Sequence, residues 1–184
     1  IFHPEPSEMY HRDYSTYVDM RTLTQGLCGK TRPTHFSGVC TVVSKLFHIV
    51  QPDRAYFGQK DAQQLAVIRH MVEDLNFDIK IIGCPIIREE DGLAKSSRNT
   101  YLNEEERKQA VILNRALQKG KEQIESGERK SLEIKQTITQ TIETMPLAKI
   151  DYVEVVDFQT LESIEEIKGE ILAAVAVYIG KTRL

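Results

Sequence analysis

The sequence has 184 residues, of which 41% are hydrophobic and 28% are charged, with 10 glycines and 6 prolines. This length predicts one or two domains, and the composition is that of a folded globular protein, which excludes a mainly disordered or collagen-like chain. Asp and Glu number 27 against 24 for Lys and Arg, a balance that disfavours a dedicated nucleic-acid binder. The longest uncharged apolar run, Ile171–Ile179, has 9 residues, whereas a membrane-spanning helix needs about 20.

Positive charge is concentrated between Gln25 and Arg69, where six basic residues stand against two acidic ones. This local excess suits a small anionic substrate. The chain has an odd number of cysteines without Cys-x-x-Cys spacing, which favours reduced thiols and a cytoplasmic location: Cys28, Cys40 and Cys84. The opening Ile1-Phe2-His3-Pro4 has no Met and no secretory pattern, so we expect the sequence to begin within a fold.

The first third of the chain predicts a loop followed by one long helix. The prolines and polar residues up to Ser15 indicate a loop, and Thr16–Met20 alternates enough to predict a short strand. From Val39 to Val50 the apolar residues recur at the spacing of one helix face, and Pro52 ends the helix.

A strand, a turn, a helix and a second strand follow. The apolar run Ala55–Phe57 predicts a strand, and apolar spacing from Leu65 to Leu75 predicts a helix after the turn Gly58–Asp61. The β-branched stretch Ile79–Ile87 predicts a strand buried on both faces of a parallel sheet. This βαβ spacing places the first part of the chain in the α/β class, and the change in composition after Ile87 predicts a domain boundary near that residue.

Residues 87–184 predict a small α+β domain. Asn103 is a predicted N-cap before an acidic first turn, and the helix is expected to run to Gly127. A second helix is predicted from about Ser131, and two strands, Ile150–Val156 and Ile171–Ile179, close the chain.

Two polar segments are candidate phosphate-binding sites. The turn at Gly58–Asp61 lies between a strand and a helix, where open α/β sheets bind ligands, and it offers Lys60 to phosphate and Asp61 to a ribose hydroxyl. The alternative is that Asp61 only caps the helix. The segment Lys95–Asn99, which we call the clamp loop, combines two hydroxyls with two cations suited to a triphosphate, and its alternative is an ordinary polar surface loop.

Other polar residues give weaker signals. Gln63 and Gln64 lie one turn into the helix after Asp61, so one amide is placed to face the same pocket, although a solvated helix face is the simpler interpretation. Arg32 and His35 precede the long helix, where we favour a structural role over contact with an anionic substrate. The histidines have no second ligand at metal-binding spacing, so no metal-binding residue is assigned.

Taken together, these motifs resemble the pantothenate synthetase family. The resemblance rests on four ordered segments that span the chain: Arg32–Val39, Phe57–Leu65, Asp91–Ala94 and Ser96–Leu102. Thr34 stands where the family usually has Gly, and Lys95 where Met or another apolar residue is frequent. Within that family the chain corresponds to roughly the last two-thirds. The resemblance implies that residues 1–86 are part of a Rossmann-like, nucleotide-binding domain and that residues 87–184 form the small domain that carries the clamp loop.

The resemblance implies an ATP-dependent ligase that joins pantoate to β-alanine through a pantoyl adenylate and releases AMP and pyrophosphate. ATP with Mg²⁺, a homodimer and the small molecules pantoate and β-alanine are the implied cofactors and partners, with neither nucleic acid nor membrane. The family places its His-x-Gly-His motif and metal-side acidic residues upstream of Ile1, so the resemblance implies that this chain by itself holds only part of the active site. Two alternatives stay open, namely another nucleotidyltransferase of the superfamily and a non-catalytic fragment.

The resemblance also implies roles for individual residues. Lys60, Ser96, Ser97 and Arg98 are implied as catalytic phosphate ligands. The implied ATP contacts further include Gly58, Asp61, Ile87 and Lys95. The implied pantoate contacts are Gln64, Val42 and Val43.

Overall fold

A computed structural model describes the whole chain, residues 1–184. The helices are α1 Pro6–Met9, α2 Leu27–Thr31, α3 His35–Val50, α4 Ala62–Asp74, α5 Glu104–Ala110, α6 Ile112–Glu125 and α7 Ser131–Glu143, with 3₁₀ turns at Gln59–Asp61 and Ser97–Tyr101. The strands are β1 Arg54–Gly58, β2 Lys80–Cys84, β3 Ala148–Asp157, β4 Ile171–Ile179 and β5 Thr182–Arg183. No helix is both long and apolar enough to span a bilayer.

A parallel strand pair with its crossover helix forms the predicted βαβ unit. Strands β1 and β2 are parallel, with Tyr56 opposite Ile82, and α4 connects them. The α/β class is thereby confirmed. The prediction that β2 is buried on both faces is wrong: its residues are half-buried or exposed because the sheet has only two strands, and the strand stops at Cys84 before Pro85.

The long helix α3 packs on α4 to form what we call the first core. Cys40 and Phe47 of α3 are buried against Ile68 and Met71 of α4. The helix begins at His35, earlier than the apolar spacing starts, and it ends where Gln51 adopts a left-handed conformation (φ 47°) before Pro52. The predicted helix is confirmed.

The second half has its own core, the second core, built by α5, α6 and α7 on the antiparallel sheet. Asn103 and Glu106 form the reciprocal cap expected at the start of α5. The prediction of a single helix that runs to Gly127 is wrong, because the helix is interrupted at Val111, between α5 and α6. Four consecutive residues there are buried (Ala110–Leu113), and one face of a straight helix cannot bury four residues in a row.

The antiparallel sheet is the wall between the two cores. Along β4, alternate residues such as Ala173, Val175 and Val177 pack in the second core, whereas Leu172 and Ala174 pack on the first. This double burial explains why β4 is apolar almost throughout instead of alternating. The division of the chain at residue 87 stays a prediction.

The N-terminal segment differs most from the prediction. Thr16–Met20 forms no strand, and it is held by side chains instead: Thr41 Oγ1 accepts from Val18 N at 3.0 Å, and Tyr14 packs edge-on against Tyr17. A strand needs a partner for its backbone groups, and no strand of this chain lies beside the segment. The short helices α1 and α2 were not anticipated.

Candidate active site

A pocket of about 230 Å³ opens between the βαβ unit and the antiparallel sheet. Its floor includes Leu172–Ala176 of β4, and its walls come from the α2–α3 region, the start of α4, the clamp loop and β5. Both predicted phosphate-binding segments therefore contribute to one concave site, although they lie more than thirty residues apart in sequence.

The turn after β1 places Lys60 and Asp61 on the pocket wall. The Lys60 side chain is 36% exposed, and its Nζ lies 4.0 Å from Asp61 Oδ1. Asp61 occupies the N-cap position of α4, but its side chain makes no capping hydrogen bond and is 67% exposed. The alternative role of Asp61 as a helix cap thus lacks the contact that defines a cap, and the carboxylate is free to accept from a ligand.

The neighbouring glutamines differ sharply. Gln63 is 6% exposed; its Oε1 accepts from Cys28 N at 2.9 Å, and its Nε2 donates to the carbonyls of Leu23 and Gly26 at 2.8 and 2.9 Å. Its amide fastens the segment before α3 to α4. Gln64 is half-buried on the pocket wall, and its amide has no hydrogen-bond partner in the chain, so it is the glutamine available to a substrate.

The clamp loop is divided between the pocket and the surface. Ser96 and Arg98 line the pocket, and Ser96 Oγ accepts from Arg98 N at 3.2 Å as the cap of the 3₁₀ turn. Ser97 is exposed and lies outside the lining. Lys95 also lies outside it, because its Nζ is 3.7 Å from Glu89 and its charge is directed to that carboxylate.

Two backbone positions named for ATP, Gly58 and Ile87, lie outside the pocket lining, although each is next in sequence to a lining residue. Gly58 ends β1 with ordinary extended dihedrals, and no atom lies within 4 Å of where a Cβ would be, so the space over its backbone is open. Ile86, rather than Ile87, lines the pocket. The Ile87 carbonyl accepts from Lys95 N at 2.9 Å, which joins this position to the clamp loop.

The predicted pantoate contacts of α3 are absent from the pocket wall. Val43 is buried in the first core and Val42 is half-buried against it. The helical spacing of these valines turns them towards the α3–α4 contact instead of towards the pocket. Of the three predicted pantoate ligands, the structure therefore brings only Gln64 to the wall.

The pocket is strongly cationic. Five cationic side chains face one carboxylate in its lining: Arg32, Lys60, Arg88, Arg98 and Arg183, with Asp61. The local charge excess between Gln25 and Arg69 contributes only two of these cations, and Lys45, for instance, lies instead over the Tyr14 ring at 4.9 Å. The field that attracts an anion is assembled by the fold from distant segments.

Arg32 and His35, for which the sequence favoured a structural role, both line the pocket. Burial lowers the pKa of His35, and the positive charge of Arg32 lowers it further, against an opposing effect of Asp61. The imidazole is therefore held towards its neutral form beside the cations.

Three residues of the site were missed in the sequence. Cys28, Tyr152 and Arg183 meet on the pocket wall: the Cys28 Sγ lies 3.4 Å from the Tyr152 hydroxyl and 3.6 Å from Arg183 Nη2. Burial raises the pKa of the Tyr152 phenol, and its contact with Cys28 raises it further. They come from α2, β3 and β5, and no local pattern joins positions so far apart.

The pocket does not provide a resident magnesium site. Mg²⁺ takes oxygen ligands, commonly one or two carboxylates together with phosphates. Asp61 is the one carboxylate in the lining, and the Lys60 ammonium lies beside it. No three His, Cys, Asp or Glu side chains come together anywhere in the chain in a way that could hold a metal ion. We therefore derive no step through a metal.

Comparison with known proteins identifies the family. The family model described as pantoate-beta-alanine ligase matches residues 1–184. The whole chain is 61% identical to pantothenate synthetase from Clostridium novyi and 62% identical to that from Enterococcus faecalis. It spans 65% of the length of each of these relatives.

Solved structures give the same result. A pantothenate synthetase from Thermus thermophilus superimposes with a TM-score of 0.94 at 42% identity, over 98% of this chain and 66% of that one. A pantoate-beta-alanine ligase from Francisella tularensis, solved in complex with beta-gamma ATP and beta-alanine, gives a TM-score of 0.71 at 31% identity, over 97% of this chain and 59% of that one. The motifs, the fold and these comparisons show that the chain belongs to the pantoate–β-alanine ligase family.

Proposed function

We propose that this chain carries the ATP-facing and part of the pantoate-facing wall of a ligase that condenses pantoate with β-alanine. The observation that carries the proposal is the meeting of Lys60, Ser96 and Arg98 with the unpartnered amide of Gln64 in one cationic pocket. Family membership supplies the substrates, since a cationic pocket by itself selects only for anions.

In the first proposed step, a pantoate carboxylate oxygen attacks the α-phosphorus of ATP. The new O–P bond forms as the bond to the β-phosphate oxygen breaks, and pyrophosphate leaves with the electron pair. Lys60 and Arg98 would neutralise charge on the phosphate oxygens, and the Ser96 hydroxyl would donate to one of them. Gln64 would hold pantoate, and Asp61 would accept from the ribose.

In the second proposed step, the amine of β-alanine attacks the acyl carbon of pantoyl adenylate. The C–N bond forms, the C–O bond to AMP breaks, and the amine loses a proton. The chain's contribution is to orient the reactants and to stabilise charge, which is what fixed cations and hydroxyls supply. No covalent intermediate with the protein is involved.

The remaining expectations belong to the same proposal. ATP accompanied by Mg²⁺, the backbone near Gly58 and Ile87 as ATP contacts, a homodimer and a cytoplasmic location follow from the family resemblance. Ser97 and Lys95 would need to turn towards the pocket to reach a nucleotide. The three free cysteines support a reducing compartment.

Pantoate-dependent exchange of labelled pyrophosphate into ATP, with β-alanine omitted, tests the proposal. We expect exchange that requires pantoate. Exchange supported by an unrelated carboxylate but not by pantoate would favour another nucleotidyltransferase. If this chain shows no exchange at saturating substrates, the proposed adenylation is wrong for the 184-residue chain, and the alternative of a non-catalytic fragment gains support.

A further inference from the structure

An ion pair beside the pocket joins β3 to β5, and its arginine also contacts α2 and the clamp loop. Arg183 donates to Asp151 Oδ2 through Nε at 3.0 Å and through Nη2 at 2.7 Å. Both side chains are 16% exposed, the lowest exposure of any ion pair in the structure. Because desolvation offsets much of the attraction in such a pair, its net contribution to stability is small. A role in fixing the positions of neighbouring groups therefore explains the pair better than a role in stability.

A β-bulge orients the acidic partner. The register of β3 against β4 shifts between Ile150 and Tyr152, so Asp151 is the extra residue without a partner on β4. Bulges re-aim side chains and are frequent beside active sites. The Arg183 guanidinium, which donates to this carboxylate, also lies near the Tyr152 ring, 5.9 Å from its centroid.

The basic partner makes two further contacts, both to pocket elements. The Arg183 guanidinium reaches Cys28 Sγ at 3.6 and 3.8 Å, which ties β5 to α2. The backbone carbonyl of Arg183 accepts from Arg98 Nη1 at 3.2 Å, which ties β5 to the clamp loop.

The hairpin geometry explains why that carbonyl is available. Val177 and Leu184 exchange both backbone hydrogen bonds of the β4–β5 pair, at 3.0 and 2.9 Å. In an antiparallel ladder the next residue along, Arg183, then directs its carbonyl away from β4. Arg98 therefore binds an otherwise unpaired edge of the sheet.

We propose that the Asp151–Arg183 pair is a positioning device that holds the Arg98 guanidinium and the Cys28 segment at a fixed separation across the pocket. Asp151 and Arg183 are positioning residues, because they act through Arg98 and the α2 segment. That Arg98 is held for a nucleotide rests on the proposed function, whereas the contacts among Asp151, Arg183 and Arg98 are read directly from the structure.

The test uses the full chain with two altered forms of the pair and one control. Asp151→Asn removes the charge, and the double variant Asp151→Asn/Arg183→Gln replaces the pair by two amides, so that no guanidinium is left unpaired if the single variant fails to fold. Glu154→Gln is the control, since it removes a 2.7 Å ion pair with Lys135 from the same strand, away from the pocket lining.

Two local rates are measured in each form, without and with ATP. The first is tryptic cleavage after Lys95 and Arg98, and the second is alkylation of Cys28 by iodoacetamide, read by mass spectrometry against Cys84. Removal of the pair is expected to raise both rates about tenfold, because it removes a charged hydrogen bond that opposes local opening of these segments. Glu154→Gln is expected to leave both unchanged.

The two proposals fail in different ways. Rates in both altered forms that match those of Glu154→Gln would overturn the positioning role, whether or not ATP slows cleavage. Raised rates in a form whose thermal midpoint matches that of the control support it. If ATP does not change the cleavage rate of the unaltered chain, but the altered forms still show raised cleavage and alkylation rates, the nucleotide proposal fails for this chain and the positioning role is supported.

Discussion

The two faces of the antiparallel sheet show how one element serves both stability and binding. On the face towards α5, α6 and α7, Val155, Val177 and Ile179 are buried almost completely among other apolar side chains. On the opposite face, Ala174 and Ala176 leave room for a pocket whose rim holds Tyr152 and Arg183. Val155, Val177 and Ile179 fill the first face, whereas on the second face the small side chains of Ala174 and Ala176 border the pocket.

This difference separates the residues that hold the fold from those that could hold a ligand. The second core has no charged member, whereas the pocket gathers five cations against a single carboxylate. Arg183 is paired with Asp151, and Lys60 lies 4.0 Å from Asp61. Arg32, Arg88 and Arg98 have no ion-pair partner, and their mutual repulsion is a cost that a bound polyanion removes. Substitutions on the two faces should therefore separate into those that change stability and those that change binding.

The largest expected effect is on the closed face. Ile138 of α7 is fully buried in the second core. Ile138→Ala should lower the free energy of unfolding by about 2–5 kcal/mol, because it removes buried methyl groups and leaves a cavity. Urea denaturation measures the loss, with Leu132→Ala, at an exposed position on the same helix, as the control. A loss below about 0.5 kcal/mol, typical of surface sites, would contradict the assigned packing.

On the open face, Lys60→Ala in a protein extended to the full length of the relatives should reduce pantoate-dependent pyrophosphate exchange about 10²–10³-fold, as expected for loss of a group that stabilises transition-state charge. The unfolding free energy should stay within about 0.5 kcal/mol, since the side chain is partly exposed. Lys121→Ala, on the exposed side of α6, is the matched control for removal of a lysine. Equal exchange in the two variants would exclude a phosphate contact by Lys60.

The adjacent residues Gln63 and Gln64 show the same contrast between stability and binding within a single helical turn. Gln63→Leu should cost about 1–3 kcal/mol, because it leaves the Cys28 N–H and two carbonyls without their partner. Gln64→Leu should leave stability within about 0.5 kcal/mol and weaken pantoate binding measured by calorimetry. Should the two substitutions have the same effect on stability, the assignment of one amide to the fold and the other to the ligand would be wrong.

The smallest expected effect concerns pH. The pKa of His35 is lowered by burial and by Arg32, so below a pH of about 6.5 the unfolded chain takes up this proton before the folded chain does. Stability is full above that pH and falls as the pH drops towards the folded-state pKa. His35→Gln should flatten this slope in denaturation measured from pH 7 to pH 5, while His3→Gln, in the exposed N-terminal segment, keeps it. A slope that His35→Gln leaves unchanged would contradict the prediction.

Local hydrophobic patterns were sufficient to predict most of the longer helices and strands. The apolar spacing from Val39 predicted α3, and the β-branched and apolar runs predicted β1, β2 and β4. The interruption at Val111 was not predicted, because the apolar spacing in the sequence fits one continuous helix. The burial of four adjacent residues, which requires a bend, is visible only in the structure. The strand predicted at Thr16–Met20 failed because alternation in sequence does not provide a neighbouring strand.

The site was predictable only where its residues are close together in sequence. Lys60, Ser96 and Arg98 were found from local chemistry and from the family resemblance, and all three line the pocket, whereas Ser97 does not. The Asp151–Arg183 pair and its contact with Cys28 join positions up to 155 residues apart, so they become visible only in the folded chain. A bulge, which fixes the direction of Asp151, leaves no reliable mark in the sequence.

A crystal structure of this chain with a non-hydrolysable analogue of pantoyl adenylate would show whether the open face of the sheet binds the reactants. We expect the analogue to lie against Ala174 and Ala176, with its phosphoryl oxygens in contact with Lys60, Ser96 and Arg98 and its pantoyl group near Gln64. An analogue bound elsewhere, or a pocket empty at saturating concentration, would contradict the assignment of the open face of the sheet to ligand binding.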